Sequence, residues 1–361
     1  VGMAIRPAFP RSSKDTVMSR RRTTRLSSSP GNLCGRRPTA ENGWAAMPSR
    51  HIKTRAKAVM ENKMNFKKAL VTAAISAASL IGGNIEAQAG SEILPGITTG
   101  IALGAPLPQG VYVLQLPSYG YTNSKPAVNL GVVVPAWVIW STPWDILGGH
   151  LLFDAASPLA NAAIHGARSW AGVSNPLIEA QLKWNLGGGW FGGVQAGGYL
   201  PVDNDLTQIS AARDFASFQT VAAVSYLADG YNLSATFIYG TGQNASYSSP
   251  VHSSLTANPG SWGTNWINLD LTATKKFGKV EVGAVGYGSW DLDQPYVGYA
   301  KQSQFVLGGL IGYDFGAVNV AFKLTRTLAE TNYGGFETRG WANIIIPLWV
   351  AAPSTTIAAK Y

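Results

Sequence analysis

One cysteine in 361 residues, Cys34, is all the thiol this chain has. It lies in a front segment set apart below, so the main body can form no disulfide, thiolate nucleophile or cysteine metal site. A chain without cysteine also passes an oxidising compartment with nothing to mispair. Histidine is nearly as scarce: of four, only His150, His165 and His252 fall in the main body. There is no G-x-S-x-G elbow, no H-E-x-x-H and no metal-ligand spacing. The glycine pairs do not open helices after strands, as a phosphate cradle requires, so no cofactor is indicated. No apolar run reaches about 18 residues, which excludes a transmembrane helix and leaves either water or a strand-built membrane protein.

The net charge of +9 is unevenly placed. Residues 1–89 hold 16 of the 28 Lys and Arg and 4 of the 19 Asp and Glu, leaving 12 basic against 15 acidic residues in 90–361. The basic excess belongs to the front, so the body has no nucleic-acid signature. Residues 1–63 lack apolar periodicity and build no core; they read as an over-extended gene start, with a basic binding arm as the alternative. From Met64 the chain reads MNFKKALVTAAISAASLIGGNIEAQAG. Lys67 and Lys68, the apolar run Ala69 to Ile81 and the small-residue site Ala87-Gln88-Ala89 form a secretory signal peptide over 64–89, with cleavage expected before Gly90.

Residues 90–361 are expected to form one all-β domain. From Gly110 to Val350, strand-like runs alternate with short breaks (Ser141–Thr142, Leu186–Gly189, Asp229–Gly230, Phe277–Gly278, Phe315–Gly316) and long polar loops (roughly 122–127, 155–171, 201–215, 243–261, 291–301, 329–336). Five short turns interleaved with six long loops join twelve strands and leave both chain ends on the short-turn side. That is the layout of a transmembrane antiparallel β-barrel of the Gram-negative outer membrane, with periplasmic turns and termini. Three apolar faces begin and end on aromatic residues eight positions apart: Phe305 to Tyr313, Tyr231 to Tyr239 and Phe218 to Tyr226. Eight residues span ~27 Å, or ~21 Å of membrane normal at ~40° tilt, close to the ~25 Å apolar band of such barrels.

The opposite faces are polar and assign a lumen. They carry His150 and Asp154; then Glu179, Gln181 and Lys183; Gln195 and Tyr199; Asp270; Glu281 and Tyr287; and Asn319 with Lys323. Lys183 and Lys323 are expected to pair with Glu179, Asp270 or Glu281, because an unpaired charge in a confined interior is costly. The mixed signs specify neither an anion nor a cation pore. The strands Gly110–Tyr121, Val128–Trp140 and Phe336–Trp349 are apolar on both faces and show no facing. His150 is the one candidate base, with Asp154 on the same face, but no serine is marked as a third partner. No catalytic residue is assigned.

The stretches GVYVLQLPSYGYT (110–122), WSTPWDILGGHLLF (140–153), GVSNPLIEAQLKWNLGGGWFGGVQAGGYLPVD (172–203), YNLSATFIYGTGQ (231–243) and DLTATKKFGKVEVGAVGYGSWDL (270–292) resemble the outer-membrane family named for the meta-cleavage pathway of phenol degradation. The resemblance implies a transporter linked with catabolism of aromatic or other hydrophobic compounds, and transfers no catalytic residues. The tail AAPSTTIAAKY departs from a strand ending in an aromatic. The expectation is a monomeric barrel that takes up small hydrophobic molecules. Loop aromatics Trp170, Phe215, Tyr247, Trp262 and Tyr296 would gather the ligand. Partners would be outer-membrane lipid and lipopolysaccharide, the substrate and the barrel-assembly machinery, with no nucleic acid. A lipid hydrolase using His150 and a purely structural barrel are the alternatives.

Overall fold

Strand alternation continues through nearly all of the body, and the sheet it builds closes on itself. The computed structural model describes residues 90–244, 259–296 and 298–352. It has fourteen strands: β1 (Gly110–Thr122), β2 (Val128–Ile146), β3 (Gly149–Ala156), β4 (Leu159–Ile164), β5 (Ser169–Val173), β6 (Leu177–Gly187), β7 (Trp190–Tyr199), β8 (Ser217–Tyr226), β9 (Tyr231–Gly240), β10 (Trp266–Phe277), β11 (Val280–Asp291), β12 (Ser303–Asp314), β13 (Asn319–Thr331) and β14 (Glu337–Val350). All pairings are antiparallel, and β1 bonds to both β14 and β2, which closes the barrel. Closure removes the exposed edges that an open sheet would present.

Fourteen strands make a twelve-stranded wall because two of its staves are each in two pieces. β2 pairs with β3 over its second half and with β4 over its first, so β3 and β4 run end to end along one neighbour. β5 and β6 do the same on the way back, against β4 and β3. The interruptions are Ser157-Pro158 and Ser174-Asn175-Pro176. Proline has no N–H to give the ladder. A single backbone bond, Ser174 N to Pro158 O at 2.8 Å, crosses this seam. The expected loop 155–171 is therefore mostly the β4–β5 hairpin.

The break expected at Ser141–Thr142 is instead the interior of β2, which runs on to Ile146 and turns at Leu147 and Gly148. Both have positive φ, 53° and 72°. The doubly apolar strands also acquire facings. In β2, Leu130, Val132 and Val134 point inward, then Trp137, Ile139 and Ser141 do. The register with β1 slips at this point, pairing Leu116 with Val134 but Leu114 with Trp137. Such a bulge swaps the parity of the faces, so simple alternation fails there.

Outward faces carry the apolar side chains: Phe305, Leu307, Ile311 and Tyr313 on β12, and Tyr231, Leu233 and Phe237 on β9. Exposed aromatics gather at the short-turn rim, where Trp140 meets Trp144 at 5.3 Å, Trp190 meets Tyr226 at 5.0 Å and Tyr313 meets Phe315 at 4.6 Å. Inside, the core is not water. Residues 90–109, which precede β1, fold back through the lumen. Their apolar side chains Ile93, Leu94, Ile97 and Leu103 form one buried cluster with Leu114, Leu116, Val132 and Trp137 of the wall.

Candidate functional site

The lumen is the site, and the N-terminal segment fills it. Gly90 lies at the long-loop end, where its carbonyl accepts from Arg213 at 3.5 Å. Ser91 accepts from Asn268 (3.0 Å) and Glu92 Oε2 from the Trp266 indole (2.7 Å) at the upper end of β10. Asp270, one turn of alternation lower, receives three bonds: Gly96 N (3.0 Å) on one oxygen, and Thr98 N (3.1 Å) and Thr98 Oγ1 (2.6 Å) on the other. Thr272 accepts from Gly100 N at 2.7 Å and Ser225 from Gly104 N at 3.1 Å. The opposite strands hold the segment's carbonyls. Lys323 donates to Thr99 O and Thr99 Oγ1 (both 2.9 Å) and to Gly96 O (3.3 Å), and Asn343 donates to Thr99 O at 3.0 Å.

Small residues make this fit possible. Gly96 has φ +85°, and a Cβ there would stand 2.3 Å from the Tyr287 ring. Lys323 lies 4.7 Å from the Trp341 ring centre, a cation–π distance, and Trp341 meets Tyr287 edge-on at 6.2 Å. Farther toward the long loops, Arg339 grips Glu337 through two bonds of 2.8 and 2.7 Å. It also reaches Ser118 Oγ and Leu130 O, both at 3.1 Å, tying β14 to β1 and β2.

All the residues assigned to the lumen lie on inward faces, but they do not border an open path. Asp154, Glu179, Gln181, Lys183, Gln195, Tyr199, Asp270, Tyr287 and Lys323 are buried. Asp154 accepts from the Trp137 indole and from Gln181 at 2.8 Å. Glu179 accepts from Gln219 at 2.6 Å, whose own oxygen takes the Tyr199 hydroxyl at 2.5 Å. Glu281, bonded to Thr274, and Asn319 face a cavity of about 350 Å³ at the short-turn mouth, under Gly100 to Leu107. The expected lysine pairings do not form as direct contacts: among the described residues no ion pair within 4.0 Å involves Lys183 or Lys323. Backbone carbonyls of the inserted segment take the place of a carboxylate for Lys323.

His150 also finds different partners from the expected Asp154. Its Nδ1 stands 2.9 Å from Asp145 Oδ1 and its Nε2 2.9 Å from Ser141 Oγ. The order is that of a serine triad, and only the extension of β2 past Ser141 creates it. Its accessibility does not match that use: Ser141 is fully buried, and its hydroxyl also lies 2.8 Å from Leu107 O, to which it donates. The group braces the lower end of the inserted segment.

At the long-loop end, Asp293 knits two loops together. It accepts from Thr264 Oγ1 (2.6 Å), Asn265 N and Nδ2 (2.8 Å each) and Asn244 (3.0 Å). Burial pushes its carboxyl up, but these donors together outweigh that and hold it below the usual range. Of the loop aromatics, Trp170 and Phe215 are buried rather than presented, and Tyr247 falls outside the described residues.

A family described as "Putative MetA-pathway of phenol degradation" matches residues 127–344, from β2 into β14. The chain belongs to that family. The barrel is similar to the COG4313 outer membrane channel from Pseudomonas putida F1, at TM-score 0.55 and 12% identity over 68% of this chain and 98% of that one. It also aligns with the NanC porin at TM-score 0.40 and 10% identity, covering 65% of this chain and all of the other. The likeness to the COG4313 channel establishes an outer-membrane type of barrel fold. No curated protein matches the chain.

Proposed function

We propose that this barrel is an outer-membrane channel for passive uptake of small hydrophobic, aromatic molecules, and not an enzyme. The observation that carries the reading is the lumen filled by the chain's own residues 90–109. An open pore for polar solutes would leave water there, whereas here any passage requires the segment to yield. Its outer surface suits lipid, with apolar mid-faces and an aromatic rim, and lipopolysaccharide above. On this reading the short turns face the periplasm, the chain reaches the membrane through a cleaved leader and the barrel-assembly machinery, and it works as a monomer. The cavity lined by Glu281 and Asn319 is the periplasmic exit.

Bacteria with intact lipopolysaccharide, with and without the protein, provide the test. Initial uptake of a labelled monoaromatic is expected to rise several-fold with the barrel present, and equal rates would overturn the proposal. Purified protein is expected to show no ester hydrolysis, with or without His150→Ala; hydrolysis that vanishes with His150 would replace the channel by an enzyme.

A further inference from the structure

At its upper end the inserted segment comes to rest, through Gly90, against a carboxylate that is satisfied on one side only. Asp291, the last residue of β11, is buried. Its Oδ2 accepts from the Tyr299 hydroxyl at 2.6 Å and from Gln302 N at 2.7 Å. Its Oδ1 is buried with no hydrogen-bond donor. Leaving a charged oxygen in that condition costs more than leaving a neutral one.

Gly90 stands in front of that oxygen. A Cβ there would lie 3.0 Å from Asp291 Oδ1 and only 2.0 Å from Thr264 Cγ2, so the seat is shaped for glycine. The α-nitrogen of the same residue is ~2.5 Å from the Cβ position, which brings it within ~5.5 Å of the carboxylate oxygen. Glu92, a second buried carboxylate, follows two residues on. The buried cation at this end is Arg213, whose guanidinium is already given to the carbonyls of Trp262 (2.8 Å) and Gly90 (3.5 Å). Two buried carboxylates thus face one guanidinium that bonds to neither, and buried charge of one sign calls for its partner.

We propose that this is a binding site for the chain's own mature N-terminus: the α-ammonium of Gly90, created by removal of the leader, pairs with Asp291 Oδ1 and pins the inserted segment at the long-loop end. The inference rests on cleavage after Ala89, the leader reading given above. Hydrolysis of the Ala89–Gly90 amide consumes one water, leaves a carboxylate on the departing leader and frees an amine on Gly90. That amine takes up a proton at neutral pH. An uncleaved precursor has an uncharged amide at the same point. Maturation therefore supplies the cation that the site lacks. With Asn268 on Ser91 and Trp266 on Glu92, the pair would tie three consecutive residues of the segment to the upper ends of β10 and β11.

The exported chain, purified from outer membranes, tests the pair. Its intact mass is expected to correspond to a start at Gly90. Acylation of the α-amine by dilute anhydride at neutral pH, read by peptide mass, is expected to be at least about tenfold slower than in folded Asp291→Asn. A proton held by a carboxylate leaves the amine unreactive, and asparagine keeps an acceptor for Tyr299 and Gln302. A serine inserted between Ala89 and Gly90 makes the exported chain begin one residue early and carries the ammonium out of the seat. It leaves the wall untouched, so it decides the matter even if Asp291→Asn does not fold. Amide exchange from Ser91 to Leu94 should quicken at least about tenfold with the insertion, and no further when Asp291→Asn is added. Equal acylation of the unmodified and folded Asp291→Asn proteins, or exchange unmoved by the insertion, would overturn the pair and leave the leader and channel readings standing. An unmodified chain that begins elsewhere than Gly90 would overturn the cleavage reading and the pair with it.

Discussion

One lumen, two walls: β10 to β14 meet the inserted segment with Asp270, Thr272, Lys323 and Asn343, and β2 to β6 meet the same segment with Val132, Trp137 and Leu177. The first wall bonds directionally to backbone N–H and C=O groups and to the polar side chains of Ser91, Glu92, Thr98 and Thr99, and fixes the segment's height and orientation. The second, apart from the Ser141 bond to Leu107 O at its lower end, meets apolar side chains through contacts that are non-directional and proportional to area. Position is specified on one side and filled on the other. A segment held this way can be compressed from its apolar side without first breaking its register.

The sharpest way to break this asymmetry is Asp270→Ala, which removes three bonds to the segment at once. Buried hydrogen bonds to a charged group are worth roughly 1.5–3 kcal/mol each. Single-channel recording should show the open probability rise at least tenfold, and unchanged closure would mean the polar wall does not hold the segment. Gly96→Val should act in the same direction, since a side chain there meets both the Tyr287 ring and an unfavourable φ. Recordings as quiet as the unmodified protein would disprove that fit. Ile97→Ala addresses the other wall; thermal unfolding should show a loss near ~2 kcal/mol, the low end for such truncations, with conductance rising only a few-fold. An effect as large as that of Asp270→Ala would erase the distinction between the walls.

The smallest expected effect lies outside the lumen. Because Asp293 is held below the usual carboxylate range, its loop tie is fully present above the unfolded carboxylate value, ~3.9, and weakens as pH falls through the folded one. Hydrogen exchange at Thr264 and Asn265 should quicken in that acid window in the unmodified protein and be fast at neutral pH in Asp293→Ala. Exchange indifferent to both changes would show that the tie does not order the loops.

The sequence showed some of this plainly and hid the rest for identifiable reasons. Strands with one apolar and one polar face, such as β9, β10 and β12, fall where alternation puts them, and their inward residues are inward. β2 misled because a bulge swaps its parity midway, and because Pro143 inside it resembles a break. That error separated Ser141 from His150 and Asp145, which only a continuous strand and its turn bring together. The split staves were read as a loop since Pro158 and Pro176 punctuate the pattern. Residues 90–109 carry no sequence sign of their place in the lumen. Their glycines and prolines lack any period, and nothing local says that such a stretch is inside a barrel rather than beside it. Ser141 is 34 positions from its partner Leu107, and the strands that hold residues 90–104 lie 121 to 244 positions away along the chain. Side-chain charge alone pairs the lumen lysines with carboxylates, whereas Lys323 binds main-chain oxygens of the segment.

The inserted segment is also covalently continuous with the wall it blocks. Gln109, the last residue before β1, accepts from Ala351 beyond the end of β14 at 2.9 Å, so the tether starts at the closing seam of the barrel. Segment and barrel are therefore present at a fixed ratio of one to one, and the direct join of Gln109 to β1 gives an effective concentration of the millimolar order expected of a short tether. Dilution, expression level and membrane crowding leave that ratio unchanged. A free peptide of the same sequence would have to reach similar concentrations before it competed. On the channel reading, a displaced segment needs no search to return: closure is a first-order event whose rate belongs to each molecule singly.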